Sequence, residues 1–322
     1  MNNSTLHIGD MVIRPGERKT VNLPIARLYT NNWAHMPVSV FNGEHSGPVL
    51  FVCAAQHGDE INGVEIIRRL LKHRSLKMLN GALVAVPIVN VFGFLQGERY
   101  LPDRRDLNRS YPGSPQGSLA ARTAHMFLEE IASHATHGID IHTATVHRYN
   151  LPQIRADLED ETTFGMAQSF GTPIIVHSRK RNKSLREVLA KRGMPIIVYE
   201  GGEALRFNEE VIQSGVEGTI HVMRHLGMLR KSTRKRHNVV QTGETRWIRA
   251  RKSGLVQLKR KAGSMVKRHE TIAVITDPLG TNVVDLKSPH EGMIIGHTNL
   301  PLVNAGDAVV HVARVRAHEG RG

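Results

Sequence analysis

The sequence predicts an α/β protein: a mixed, mostly parallel sheet flanked by helices, followed by a smaller all-β unit of barrel-sandwich type. Three observations carry this reading. Short apolar runs alternate with amphipathic segments of helical length as far as residue 228, the pattern of strands joined by crossover helices. From residue 241 the helical spacing stops. There, two stretches, 254–276 and 292–313, resemble each other: each opens with glycine and an apolar strand and carries Ala-Gly (Gly263, Gly306) before a valine-bearing strand. Finally, 322 residues with 40% apolar content suffice for two units, predicted as 1–228, a basic linker 229–240, and a β-unit 241–322.

Taken in order, "PVSVF" and "PVLFVCAA" flank the turn formers 42–47 and predict a hairpin over 37–53. Val64, Ile67, Leu70 and Leu71 give 63–72 a helical apolar stripe. "GALVAVPIVN", 81–90, is a buried strand, and 118–135 is an amphipathic helix with Ser118 as N-cap. Strands are predicted at 137–143, 173–178 and 194–202, the last two separated by the helical "SLREVLAKRG", and a helix closes this half over 208–229. The repeat in the last unit is similar to the biotinyl and lipoyl barrel-sandwich. A carrier role does not follow, because the one lysine between the halves, Lys287, lies just before Ser288-Pro289 and not in a central hairpin.

Net charge is +14, concentrated in 230–237 and in Arg246, Arg249, Arg251, Lys252, Lys259, Arg260 and Lys261. That balance suits anionic partners. No nucleic-acid motif accompanies it and aromatic residues are only 5%, so a solvated linker and a basic barrel surface are expected rather than a nucleic-acid interface. No apolar run approaches 18 residues, and the first ten lack the layout of a secretory signal, so neither a membrane span nor export is expected. The single cysteine, Cys53, excludes an internal disulfide framework and fits the cytoplasm; inside its apolar run it reads as a small buried side chain.

Chemistry is expected where parallel strands end. The apolar run 49–55 stops at Gln56-His57-Gly58-Asp59-Glu60. His57 and Glu60, at i and i+3, can face one centre, and an imidazole with a carboxylate suits Zn²⁺. A third ligand should lie at another strand end, which His142 in "GIDIHT" supplies, with Asp140 placed to orient a ligand histidine. A hydrolase also needs a base for its water, and Glu200 ends an apolar strand before Gly201-Gly202. The loop "GERYLPDRRDLNRSYPG" offers Asn108 and Arg109 as a carboxylate clamp, Arg99 as an oxyanion donor and Asp106 as an arginine anchor.

In chain order, "HGDE", "RDLNRSYPG", "DIHT" and "VYEGGE" resemble the succinylglutamate desuccinylase/aspartoacylase family, zinc carboxypeptidase-like deacylases. The resemblance covers essentially the whole chain. It implies one zinc ion per chain held by His57, Glu60 and His142, Glu200 as general base, and Asn108 with Arg109 holding a substrate carboxylate. The family's further arginine matches Arg99 with two extra residues before Asn108, which leaves Arg104 and Arg105 as alternatives. "LPQIRADL" resembles a segment near the substrate and brings in Arg155. The implied reaction is hydrolysis of the amide of a small N-acyl amino acid by metal-activated water. The rivals are a metallocarboxypeptidase acting on peptides, a non-catalytic zinc module with a fourth protein ligand, and a nucleic-acid binder. A homo-oligomer is compatible with the sequence, which carries no visible signal for one.

Overall fold

A computed structural model describes residues 3–178, 182–231 and 239–315. The chain opens with four strands, β1 (Leu6–Ile8), β2 (Met11–Ile13), β3 (Arg18–Arg27) and β4 (Trp33–Asn42). Then come β5 (His45–Ala54), α1 (Asn62–Leu70), β6 (Asn80–Val86), α2 (Val91–Gln96) and α3 (Leu119–Glu130). These are followed by β7 (His137–Ala144), β8 (Arg148–Ala156), α4 (Glu161–Phe170), β9 (Ile174–His177), α5 (Leu185–Lys191), β10 (Ile196–Glu203) and α6 (Glu209–His225). The remainder is all strand: β11 (Val240–Thr242), β12 (Thr245–Arg249), β13 (Gly254–Leu258), β14 (Met265–Val266), β15 (Thr271–Thr276), β16 (Val284–Lys287), β17 (Gly292–Thr298), β18 (Leu302–Val303) and β19 (Ala308–Arg314).

Thirteen of these strands form one mixed sheet. At its centre β6, β5, β7 and β10 run parallel, with Cys53 beside Asp140 and His142 beside Glu200. A parallel strand is covered on both faces, which is why β5 reads as an unbroken apolar run; Leu50 to Ala55 are all fully buried. One core layer packs α3 and α5 against the sheet from Phe51, Val84 and Phe127, and the other packs α1, α4 and α6 from Val52, Ile66 and Tyr199. No helix among the described residues is long and apolar enough to cross a membrane.

The expected hairpin over 37–53 does not exist. β4 and β5 do not pair; β6 lies between them, antiparallel to β4 and parallel to β5. The turn residues do reverse the chain, but the strands splay and admit a third. Gly81 makes the entry, at φ +70°, with the carbonyl oxygen of Pro48 only 2.0 Å from where a Cβ would sit. The strand expected at 81–90 ends at Val86, before Pro87. The helix expected at 118–135 ends at Glu130 and continues as a 3-10 turn, Ala132–His134, while Ser118 caps it by accepting from Ala121 N–H. The N-terminal strands, β8 and α4 carried no expectation.

The last unit is two packed sheets. β13, β15, β16 and β18 form one, while β12, β14, β17 and β19 belong to the large sheet. The repeat shows as an exchange: the short β14 of one half pairs with β17 of the other, and β18 returns to β13. β17 also pairs with β8 and β11 with β9, so hydrogen bonding is continuous between the two halves of the chain. Of the expected basic linker, residues 232–238, including the cluster Arg234-Lys235-Arg236-His237, lie outside the described residues.

Candidate active site and metal centre

The site forms at the carboxyl ends of β5, β7 and β10. After Ala54 the backbone turns sharply at Ala55, whose φ of 50° is unusual for a residue with a side chain. The loop after β6 closes beneath this turn, with Val89 and Asn90 N–H donating to the carbonyls of Ala54 and Ala55. Gly58 is required by packing: a Cβ there would lie 1.9 Å from the carbonyl carbon of Gly93 in α2. Pressed against α2, the chain turns back, Glu60 N–H donating to His57 C=O, and the two side chains face one point.

His57 Nδ1 lies 2.8 Å from Glu60 Oε1, and His142 Nδ1 lies 2.8 Å from Glu60 Oε2. One donor atom from each of the three lies within 4.8 Å of the others, and all three are buried. Each imidazole turns its other nitrogen to a carboxylate: His57 Nε2 to Asp106 at 3.0 Å, His142 Nε2 to Asp140 at 2.9 Å. A neutral imidazole donating from Nε2 presents a lone pair at Nδ1, so both lone pairs and the Glu60 carboxylate converge. Such a convergence of acceptors requires a cation or shared protons between them, and the donor set fits Zn²⁺.

The electrostatics correspond to the shared-proton arrangement. Burial would raise the Glu60 pKa, but the two imidazoles hold it well below the usual carboxylate range. Burial would lower His57 and His142, yet Glu60, Asp106 and Asp140 outweigh it and leave both raised. Behind His142, Asp140 also accepts from Cys53 Sγ and Gln56 Nε2, and Tyr111 donates to Gln56. Cys53 is thus the small buried side chain expected, with its thiol turned to Asp140.

Asp106 caps the 3-10 turn Leu107–Arg109 by accepting from Asn108 N–H, and it anchors Arg99, as well as receiving His57. Arg99 donates to Glu60 at 3.2 Å and lines the cavity. Arg105 points outward beside Asp103, and neither it nor Arg104 lines the cavity. Asn108 Oδ1 accepts from Leu185 N–H, tying the turn to α5, while the Arg109 guanidinium donates to the Asn108 carbonyl. Glu200 accepts from Asn150 Nδ2 at 3.0 Å, and its other oxygen lies 2.8 Å from Arg155 Nε, an ion-pair distance without hydrogen-bond alignment.

His57, Glu60, His142, Glu200, Arg99, Asn108, Arg109 and Arg155 all line one cavity of about 340 Å³; Asp106 stands behind His57 and Arg99. The further lining side chains without a sequence expectation include Arg148 of β8, Arg186 of α5, Trp247 of β12 and His311 of β19. Arg186 sits in a segment read only as a helix. Trp247 and His311 lie in the β-unit, where strand alternation gives no hint that a residue faces another unit.

The family model described as the succinylglutamate desuccinylase/aspartoacylase catalytic domain matches residues 46–226. An N-alpha-acetyl-L-2,4-diaminobutyric acid deacetylase from Halomonas elongata is 23% identical over 295 residues, 87% of this chain and 86% of that protein. The product-bound ectoine utilization protein EutE (DoeB) from Ruegeria pomeroyi superposes with a TM-score of 0.82 at 23% identity, covering 98% of this chain and all of that one. A succinylglutamate desuccinylase/aspartoacylase from Rhodobacter sphaeroides gives 0.81 at 24% identity, covering 94% of this chain and 97% of that one. At these identities the structures show a common fold, and the family model spans more than half of the sequence. The chain belongs to the succinylglutamate desuccinylase/aspartoacylase family, a family of deacylases.

Proposed function

We propose that this protein is a zinc-dependent amidohydrolase that cleaves the amide of a small, carboxylate-bearing N-acyl amino acid or related compound. The observation that carries the reading is the convergence of His57 Nδ1, His142 Nδ1 and the Glu60 carboxylate, with both Nε2 atoms tied to buried or half-buried carboxylates. One zinc ion held by these three residues would polarise the acyl carbonyl and lower the pKa of a water. Glu200 takes the proton from the attacking water and delivers it to the leaving nitrogen. Asn150 orients its carboxylate, and Arg155 stands at ion-pair distance from it. Arg99 balances the negative charge that develops on the acyl oxygen. Asn108 and Arg109 hold the substrate carboxylate, with Asp106 fixing the turn that presents them.

A peptide-cleaving carboxypeptidase could use the same groups. The cavity's volume of about 340 Å³ favours a small molecule. A structural zinc module needs a fourth protein ligand, and the metal-type group among the described residues has three. The reading includes a catalytic unit over 1–228, a linker over 229–240, a β-unit over 241–322, a cytoplasmic setting and no nucleic-acid partner. Metal analysis of the purified protein, with a panel of N-acyl amino acids assayed for free amine, tests it. Zinc near one equivalent and amine release are expected; a metal-free protein that releases no amine after zinc is added would refute it.

A further inference from the structure

The sequence concentrates arginine and lysine in the β-unit, and the catalytic reading uses none of them. Strand β12 ends the large sheet on one side and β16 ends the four-stranded sheet; a hollow of about 930 Å³ takes its lining from both edges. Arg246 comes from β12, Arg251 from the loop after it, Arg268 and His269 from the turn before β15, and Lys287 from the end of β16. Backbone hydrogen bonds tie two of these segments together: His269 N–H donates to Ser288 C=O at 2.8 Å, and Ser288 N–H to Glu270 C=O at 2.9 Å. The one acid on the lining, Asp285, accepts from Thr271 Oγ1. The ion pairs between described residues of the β-unit are Arg260 with Glu270 and Arg314 with Glu244. None of Arg246, Arg251, Arg268 and Lys287 has a described carboxylate at ion-pair distance. A second hollow, of about 370 Å³, adjoins the first and shares Arg246, Arg251 and Lys287 with it.

Like charges gathered around one hollow repel each other, and a multivalent anion removes that cost. Guanidinium forks match phosphate oxygens two at a time. Two hollows on one rim of three cations offer places for two phosphate groups. Among the described residues the only Phe, Tyr or Trp on either lining is Trp247, whose indole is stacked on His311 at 4.5 Å. No ring of that kind is therefore open to a nucleobase, which favours a small anion over a nucleic-acid strand. Arg246 and Trp247 are successive residues of β12 and point to opposite faces, and Trp247 lines the catalytic cavity. We propose that the two hollows form a site for a small metabolite carrying two phosphate groups, on the far face of β12 from the catalytic cavity, with Arg246, Arg251 and Lys287 shared between the phosphates.

The test reads binding and needs no turnover. The purified, zinc-supplemented full chain is titrated calorimetrically with fructose 1,6-bisphosphate and with fructose 6-phosphate, probes that differ by one phosphate. Wild type should bind the bisphosphate about tenfold or more tighter, and added salt should narrow the gap. Arg246→Ala/Lys287→Ala should bring the ratio to within about twofold. Both side chains are exposed, so their loss should leave the fold intact. Lys259→Ala/Lys261→Ala removes the same charge from exposed positions off both linings and should keep the full preference. A wild type with no preference, an Arg246→Ala/Lys287→Ala protein that retains it, or a Lys259→Ala/Lys261→Ala protein that loses it would each overturn the proposal. So would a short single-stranded oligothymidylate that binds more tightly than the bisphosphate, which would make the surface one for nucleic acid.

Discussion

Glu60 receives two imidazoles, one guanidinium and the backbone N–H of Thr143, so its charge is matched on every side although it is buried. Removing one member of such a set should therefore affect the metal before the fold. His142→Ala should bring bound zinc well below one equivalent by metal analysis, whereas Glu200→Ala should retain zinc and lose about 10²–10⁴-fold in kcat, the worth of a positioned general base. A Glu200→Ala protein with full turnover would show that another group takes the proton. Asp140→Asn leaves the ligands in place but weakens the hold on the His142 Nε2 hydrogen. Zinc affinity should fall about 10–100-fold in a competition titration. The convergence of His57, Glu60 and His142 was legible in the sequence because few residue types can hold a metal, and these sit at strand ends. His311 and Trp247 were not, because either one in a β-strand is ordinarily packing.

The connection from β5 to α1 is where local geometry and site geometry are the same problem. Gly58→Ala would force a Cβ against the backbone of α2, and neither side can yield without moving His57. A loss of about 3 kcal/mol or more is expected, read as the shift of a urea unfolding curve. On the other side of the sheet, α1 is joined to α6 by a chain of charges: Glu65 accepts from Arg68 and Arg69, and Arg69 reaches Glu209. The hydrogen bond from Arg68, helped by Arg69, pulls the Glu65 pKa from 4.5 down to about 2. Because the folded value is the lower one, this contribution is fully present above pH 4.5 and is lost as pH falls toward 2. Glu65→Gln should cost roughly 1 kcal/mol at pH 7, and the difference from wild type should vanish near pH 2, followed by denaturant melts. Element type was readable wherever a strand or helix announced itself by period. Pairing was not: nothing within 37–53 reveals that β6, thirty residues on, separates β4 from β5.

The large sheet runs through both halves of the chain, and part of the packing depends on that. Ile174 and Val176 of β9 share a core with Met293, Ile295 and Ala313 of the β-unit, and Asn299 Nδ2 donates to Glu203 beside the cavity. A chain cut after residue 228 would expose the free edge of β8 and this apolar cluster, so it should be recovered largely as aggregate where the full chain is soluble, measured by sedimentation of the expressed protein. Chelation should lower the melting temperature of the full chain, and zinc should restore it, because an ion bound only by the folded state adds its binding free energy to stability.

By itself the sequence determined the α/β class, the change to β-structure near residue 241, the three metal-type ligands and the residues set around them, because each follows from periodicity or from the chemistry that a residue type can perform. Only the tertiary structure decided which strands are neighbours and which side chains of the β-unit reach the cavity. Those outcomes depend on contacts between segments far apart in the chain. A strand's own alternation says which residues share a face, but not what that face will meet.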